Sequence, residues 1–100
     1  MEFARKKLVT IICEAGLEAR IGADLERLGA HGHTVSDARG RGARGTREAG
    51  WPASGNIRVE VICDEPAARA IAAHLQSSYF EHYAMVLYVG DVEVLRAEKF

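Results

Sequence analysis

The chain has 100 residues, 48% of them hydrophobic and 27% charged, with a formal net charge of −1. That is the length of one domain, able to bury about two-thirds of its unfolded surface. The near-neutral balance argues against a nucleic-acid coat or a membrane-surface binder, and no apolar run approaches the roughly 20 residues that span a bilayer.

The opening "MEFARKKLVTIIC" has too short an apolar stretch for a secretory signal, and no small-residue cleavage site follows it, so a cytoplasmic location is expected. Cys13 and Cys63 stand at the ends of two apolar runs and read as buried thiols in a reducing compartment. "KLVTIIC" (7–13) is rich in β-branched residues and predicts a buried strand. In 17–32, Leu17, Ile21, Leu25 and Leu28 form one helical stripe, with Glu18, Arg20, Asp24, Glu26 and Arg27 largely outside it. Gly29 and Gly32 are placed to end that helix. "HTVSDA" (33–38) predicts a short strand.

"NIRVEVIC" (56–63) alternates cleanly, with Ile57, Val59, Val61 and Cys63 on one face and Arg58 and Glu60 on the other. "DEP" then opens a helix over 67–80 that turns Ile71, Leu75 and Tyr79 inward. "AMVLYVG" (84–90) is a further strand, and "DVEVL" (91–95) either continues it or starts a hairpin. Strand, helix, strand, strand, helix, strand predicts an α+β, ferredoxin-like βαββαβ domain over the whole chain, 1–100. That fold hosts many functions and selects none.

The segment "RGRGARGTREAGWPASG" (39–55) breaks this regularity and reads as a long loop, too polar to bury and too irregular for a helix or strand. Arg39, Arg41, Arg44 and Arg47 alternate with Gly40, Gly42 and Gly45. Guanidinium groups offer planar, charge-assisted donors to phosphate oxygens, and glycine lets backbone N–H groups close around an anion. A solvated, flexible loop is the plainer alternative. The Gly-Lys-Ser/Thr of a P-loop ATPase is missing. An anion site, with phosphate as the natural anion, is as far as the spacing reaches.

The string "GRGARGTR" (40–47), with "GHTV" (32–35) before it and "YFEHYAMVLYVGDVEVL" (79–95) after it, resembles the SbtB-like branch of the PII signalling superfamily over roughly residues 6 to 96. The resemblance implies a homotrimer that binds adenine nucleotides (AMP, ADP, ATP or cyclic AMP) in clefts between subunits. The residues themselves offer no nucleophile with a nearby base and no paired carboxylates in a defined setting, so neither catalysis nor a cofactor is expected. The resemblance makes 39–55 the T-loop that engages a protein partner. Arg44 and Arg47 then hold phosphates, Gly42 and Ala43 lend backbone beside them, and Arg41 fills a basic position. Gly32, His33, Thr34 and Val35 line the base and ribose. Val89, Gly90 and Asp91 complete the cleft from the adjacent subunit. Arg39, Glu48, Trp51 and Pro52 are the T-loop residues expected to meet the partner. Relatives of this pattern are linked to inorganic-carbon uptake, some with a bicarbonate connection. A bicarbonate transporter or a carbonic-anhydrase-associated protein is therefore the implied partner.

Departures from the pattern narrow this reading. Classical PII proteins carry a phosphate-binding lysine where Glu93 stands, which weighs against a triphosphate plus 2-oxoglutarate sensor. No tyrosine lies in the loop for uridylylation, and the cysteine-containing extension of some relatives is not expected after Phe100. Ala43 stands where a serine is common.

His31 and His33 would need two further ligands to hold zinc and read as a surface turn, and no metal is expected. His74 and His82 read as ordinary surface or helix residues. Trp51, beside Pro52 at the loop tip, is a candidate interface anchor. An RNA-binding reading fails on the absence of stacking aromatics from "KLVTIIC" and "NIRVEVIC", so no nucleic acid is expected. The remaining alternative is a ferredoxin-like small-molecule-binding domain or enzyme acting on another anionic ligand.

Overall fold

A computed structural model describes residues 2–42, 45–47 and 55–100. The strands are β1 (Ala4–Glu14), β2 (Thr34–Ala38), β3 (Gly40–Gly42), β4 (Gly45–Arg47), β5 (Asn56–Cys63) and β6 (Val86–Val94). The helices are α1 (Glu18–Arg27) and α2 (Glu65–Ser78).

Val9, Ile11 and Cys13 of β1 alternate onto one face and are fully buried. Antiparallel ladders run along both edges of this strand. Lys7↔Cys63 to Glu14↔Asn56 joins it to β5, and Ala4↔Val94 to Ile12↔Val86 joins it to β6. β2 extends the sheet from the far edge of β5, through Thr34↔Glu60 to Ala38↔Asn56. The order is therefore β2-β5-β1-β6, the expected ferredoxin-like arrangement. Ile21 and Leu25 of α1 and Ile71 and Leu75 of α2 join Val9, Ile11, Val59 and Val61 in one core against the helix-side face of the sheet. Each such side chain taken out of water contributes about 1.5–3 kcal/mol.

Several boundaries differ from the sequence reading. β1 is longer than 7–13 because pairing on both edges draws in Ala4 to Lys6 and Glu14. A single 3-10 turn at Ala15–Leu17 precedes α1, which closes at Arg27 rather than running to 32. Gly29 does end it, at φ 103°, where its N–H bonds the Glu26 carbonyl (3.3 Å) and the Ala30 N–H bonds that of Leu25 (3.0 Å). Ala30 and Leu25 are both in the core, so this C-terminal lock carries its own apolar contact. α2 begins at Glu65, two residues before the expected start, with the Ala68 N–H bonded to the Asp64 carbonyl at 3.0 Å. Residues 86–94 form one continuous strand, which settles the alternatives left open for 91–95.

The clearest correction concerns the Arg-Gly segment. It is not irregular at its start: β3 and β4 form an antiparallel hairpin with Gly40↔Arg47, Arg41↔Thr46 and Gly42↔Gly45. Backbone pairing needs no side-chain alternation, so an Arg-Gly run satisfies its N–H and C=O groups this way without an apolar face. Ala43, Arg44 and residues 48–54 lie outside the described residues.

A polar seam binds the two helices beyond the core. Asp24 of α1 accepts a 2.6 Å hydrogen bond from the Tyr79 hydroxyl, and its carboxylate also meets Arg27 (3.3 Å) and His74 (3.2 Å). Arg20 sits over the Tyr79 ring, 5.1 Å from its centre, and donates to the Tyr83 hydroxyl at 3.4 Å. His74 is thus a helix residue, as one of the two expected readings had it, and a half-buried one that bridges to α1. Burial pushes the Asp24 carboxyl up, but hydrogen bonds from Tyr79, Arg27 and His74 outweigh it and hold the group below its ordinary value of 3.8.

A depressed folded-state value means stabilisation that is complete above the unfolded carboxylate's range and lost as pH falls through the folded value. Tyr79→Phe is therefore expected to cost about 1.5–3 kcal/mol at pH 7, as loss of a hydrogen bond to a charged group. Urea unfolding of both proteins at pH 7 and pH 3 checks this: the difference should shrink at pH 3, and an equal difference at both would sever Tyr79 from the Asp24 charge.

Candidate functional site

The site residues expected from sequence fall into three groups. Gly32 and His33 are exposed in the connection between α1 and β2, Thr34 is exposed at the start of β2, and Val35 is half-buried against the core. The His33 ring lies against α1 at Gly22, with its Cε1 3.4 Å from where a Cβ on that glycine would stand. Arg39 is exposed and is the single residue between β2 and β3, so the hairpin that follows is geared directly to the edge strand. Arg41, Gly42 and Arg47 lie on the paired arms of that hairpin. The expected roles of Ala43, Arg44, Glu48, Trp51 and Pro52 fall outside the described residues.

Val89, Gly90 and Asp91 lie on β6, at the other edge of the sheet. β5 and β1 stand between the two groups, which puts β2 and β6 three strand spacings, about 14 Å, apart. One chain does not bring its own Gly32–Val35 and Val89–Asp91 together. Each edge carries half of the expected cleft.

The β6 half has a distinctive local chemistry. Gly90 pairs with Leu8 on the sheet face turned away from the core. A Cβ on Gly90 would meet nothing within 4 Å, and its backbone is not in the left-handed region, so this chain's own packing gives no reason for a glycine there. A glycine inside a strand without such a reason suits the close approach of another molecule. Asp91, on the opposite face, receives the Lys7 ammonium at 2.6 Å. That hydrogen bond and charge hold its carboxyl below the ordinary range, with Arg5 and Arg69 adding to the pull. Glu93 faces Arg5 across the ladder.

Beside Gly90, the same open face carries Ile12 and Val86 as cross-strand partners, the Thr10–Tyr88 pair, and Leu8 beside Ile62. Val86 and Tyr88 are 46% and 55% exposed, which leaves an apolar surface uncovered. Sequence reading missed both this face and Lys7. The alternation that puts Val9 and Ile11 inside also puts Leu8 and Ile12 outside, a signal available in β1 had its second face been considered.

Among the described residues no group of His, Cys, Asp and Glu is arranged to hold a metal, and no helix is long and apolar enough to cross a membrane. Cys13 and Cys63 are both buried, as expected, and burial pushes the Cys63 thiol up, with Asp64 adding to the effect.

The family model described as nitrogen regulatory protein P-II matches residues 6–99. The chain belongs to the P-II family. Solved structures agree. A PII-like signalling protein from Thermus thermophilus is 46% identical, with a TM-score of 0.87 over 100% of this chain and 99% of that one. CPII from Thiomonas intermedia K12, bound to ADP and bicarbonate, is 25% identical, with a TM-score of 0.88 over 99% of this chain and 97% of that one. A second CPII structure, bound to ADP, AMP and bicarbonate, is 26% identical, with a TM-score of 0.86 over 99% and 96%. The resemblance drawn from "GHTV", "GRGARGTR" and the last helix and strand thus reached the right superfamily, and the P-II fold is the one described above.

If Gly90 is kept small for an approaching molecule, Gly90→Ala will leave the thermal midpoint unchanged or slightly raised, since alanine restricts the unfolded chain by about 0.4–1 kcal/mol. The same variant should lose at least about tenfold, about 1.4 kcal/mol, in binding the molecule that approaches there, with ADP as the probe because CPII holds it. A melting curve and a titration on one preparation check both halves. A lowered midpoint with intact binding would make the glycine structural.

Proposed function

We propose that this chain is a non-catalytic PII-like signalling protein of the cytoplasm, a homotrimer that binds adenine nucleotides in clefts between its subunits. The observation that carries this reading is the division of the expected site between opposite sheet edges. A cleft assembled from Gly32–Val35 of one copy and Val89–Asp91 of the next needs at least two chains. The open face bearing Leu8, Ile12, Ile62, Val86 and Tyr88 is a suitable surface for that association, because it is apolar and lies beside Gly90.

Arg44 and Arg47 are the phosphate clamp in this reading, with Arg41, Gly42 and Ala43 beside them. The hairpin supports it: pairing of Gly40↔Arg47 fixes the backbone of Arg47 just past the end of β2, the strand that carries Thr34 and Val35. The ligands of CPII, ADP and AMP with bicarbonate, support an adenine nucleotide with bicarbonate as a co-ligand, while ATP and cyclic AMP rest on the motif resemblance alone. Segment 39–55 then acts as the T-loop, and ligand binding shifts its order and so its affinity for a protein partner. Arg39, Glu48, Trp51 and Pro52 form the partner-facing part. Inorganic-carbon uptake or metabolism is the physiological setting, with a bicarbonate transporter or a carbonic-anhydrase-associated protein as partner.

Calorimetric titration with AMP, ADP, ATP and cyclic AMP, each with and without bicarbonate, tests this beside a sedimentation measurement of mass. Micromolar binding by a trimer is expected. A monomer that binds another anionic ligand and no nucleotide would overturn it in favour of a small-molecule-binding domain. Arg47→Ala should weaken phosphate-bearing ligands by about 1.5–3 kcal/mol while leaving the trimer folded. Trp51→Ala should spare nucleotide affinity and weaken binding of the protein partner, whether transporter or carbonic-anhydrase-associated protein; loss of nucleotide affinity instead would exchange the roles given to the base and tip of the loop.

A further inference from the structure

Lys7 lies within β1, opposite Asp91 of β6 on one side and Cys63 of β5 on the other. Its side chain is 21% exposed, whereas that of Asp91 is 58% exposed, so the lysine reaches outward from between the strands to a carboxylate at the surface. The 2.6 Å contact fixes the ammonium on a single partner. Asp91 remains charged and compensated, with Arg5 and Arg69 also contributing to its field.

This creates an electrostatic question for the β6 half-site. An anionic ligand at the open face beside Gly90 lies across the thickness of the sheet from a permanent carboxylate one residue along the strand, and feels its field without touching it. Uncompensated, that charge would repel each phosphate within a screening length, about 8 Å at physiological salt. An ion pair with Lys7 removes most of the repulsion without adding a group that must touch the ligand.

We infer that Lys7 is a positioning residue of the nucleotide site: it acts through Asp91, cancelling the charge of that carboxylate so that the β6 edge can receive a phosphate-bearing ligand. The inference rests on the nucleotide reading proposed above. A purely structural role is the weaker account. β1 and β6 are already joined by a continuous ladder from Ala4↔Val94 to Ile12↔Val86, and one exposed ion pair adds little to it.

A double-mutant cycle with Lys7→Met and Asp91→Asn, titrated with AMP, ADP and ATP at low and high salt, tests the coupling. Lys7→Met is expected to weaken ADP about fivefold at low salt, AMP less and ATP more, with the losses shrinking as salt rises. In the Asp91→Asn background the same lysine substitution should change affinity less than about twofold. Equal losses for all three nucleotides, or an undiminished loss in the Asp91→Asn background, would overturn the inference, because Lys7 would then act by packing or by touching phosphate itself. Should Lys7→Met fail to fold, Lys7→Gln gives the same comparison. Wild-type protein that binds none of the three nucleotides would remove the site reading and this inference together. Wild-type binding with no difference among the variants would remove the inference alone.

Discussion

Strand β1 is hydrogen-bonded along both edges, and this arrangement decides where the rest of the molecule can go. With β5 on one side and β6 on the other, β2 has only the far edge of β5 to join. The helices must cover the face that holds Val9, Ile11 and Cys13, so they cannot also cover Leu8, Ile12 and Ile62. A saturated core on one side and an apolar, uncovered face on the other both follow from the alternation within one strand. So does the separation of Gly32–Val35 from Val89–Asp91.

The hairpin adds a mechanical link to this plan. Only Arg39 separates the end of β2 from the first residue of β3. A change in the hairpin's direction therefore acts on an edge strand whose other end carries His33 and Thr34. The seam of Asp24, His74 and Tyr79 works elsewhere, holding the helices to each other where the core no longer reaches. The seam and most of the candidate site thus draw on different residues, although Val35 and Val89 also pack against the core.

Much of the fold was legible in the sequence because its signals are local. "NIRVEVIC" alternates strictly, and the strand occupies those residues, 56–63. The end of α1 was only half legible, since Gly29 and Gly32 are both plausible stops and the choice falls on the one followed by Ala30, which packs in the core with Leu25. The β3–β4 hairpin was not legible, because backbone pairing between glycines and arginines leaves no apolar rhythm to read. Contacts between residues distant in the chain were equally hidden. Tyr79 and Asp24 are 55 positions apart, and Lys7 and Asp91 are 84 apart. The candidate site was reached through motif resemblance at "GHTV", "GRGARGTR" and "VGD", and not through geometry. No periodicity could have shown that its halves belong to opposite edges.

A site split between two edges ties ligand recognition to the protein's own abundance. In the proposed assembly every chain would hold a half that is useless to itself, so dilution that dissolves the assembly would dissolve the site with it. Ligand would in turn favour assembly, since in that reading it binds the associated form and not the separated one. Such a protein would report two concentrations at once, that of its ligand and that of itself.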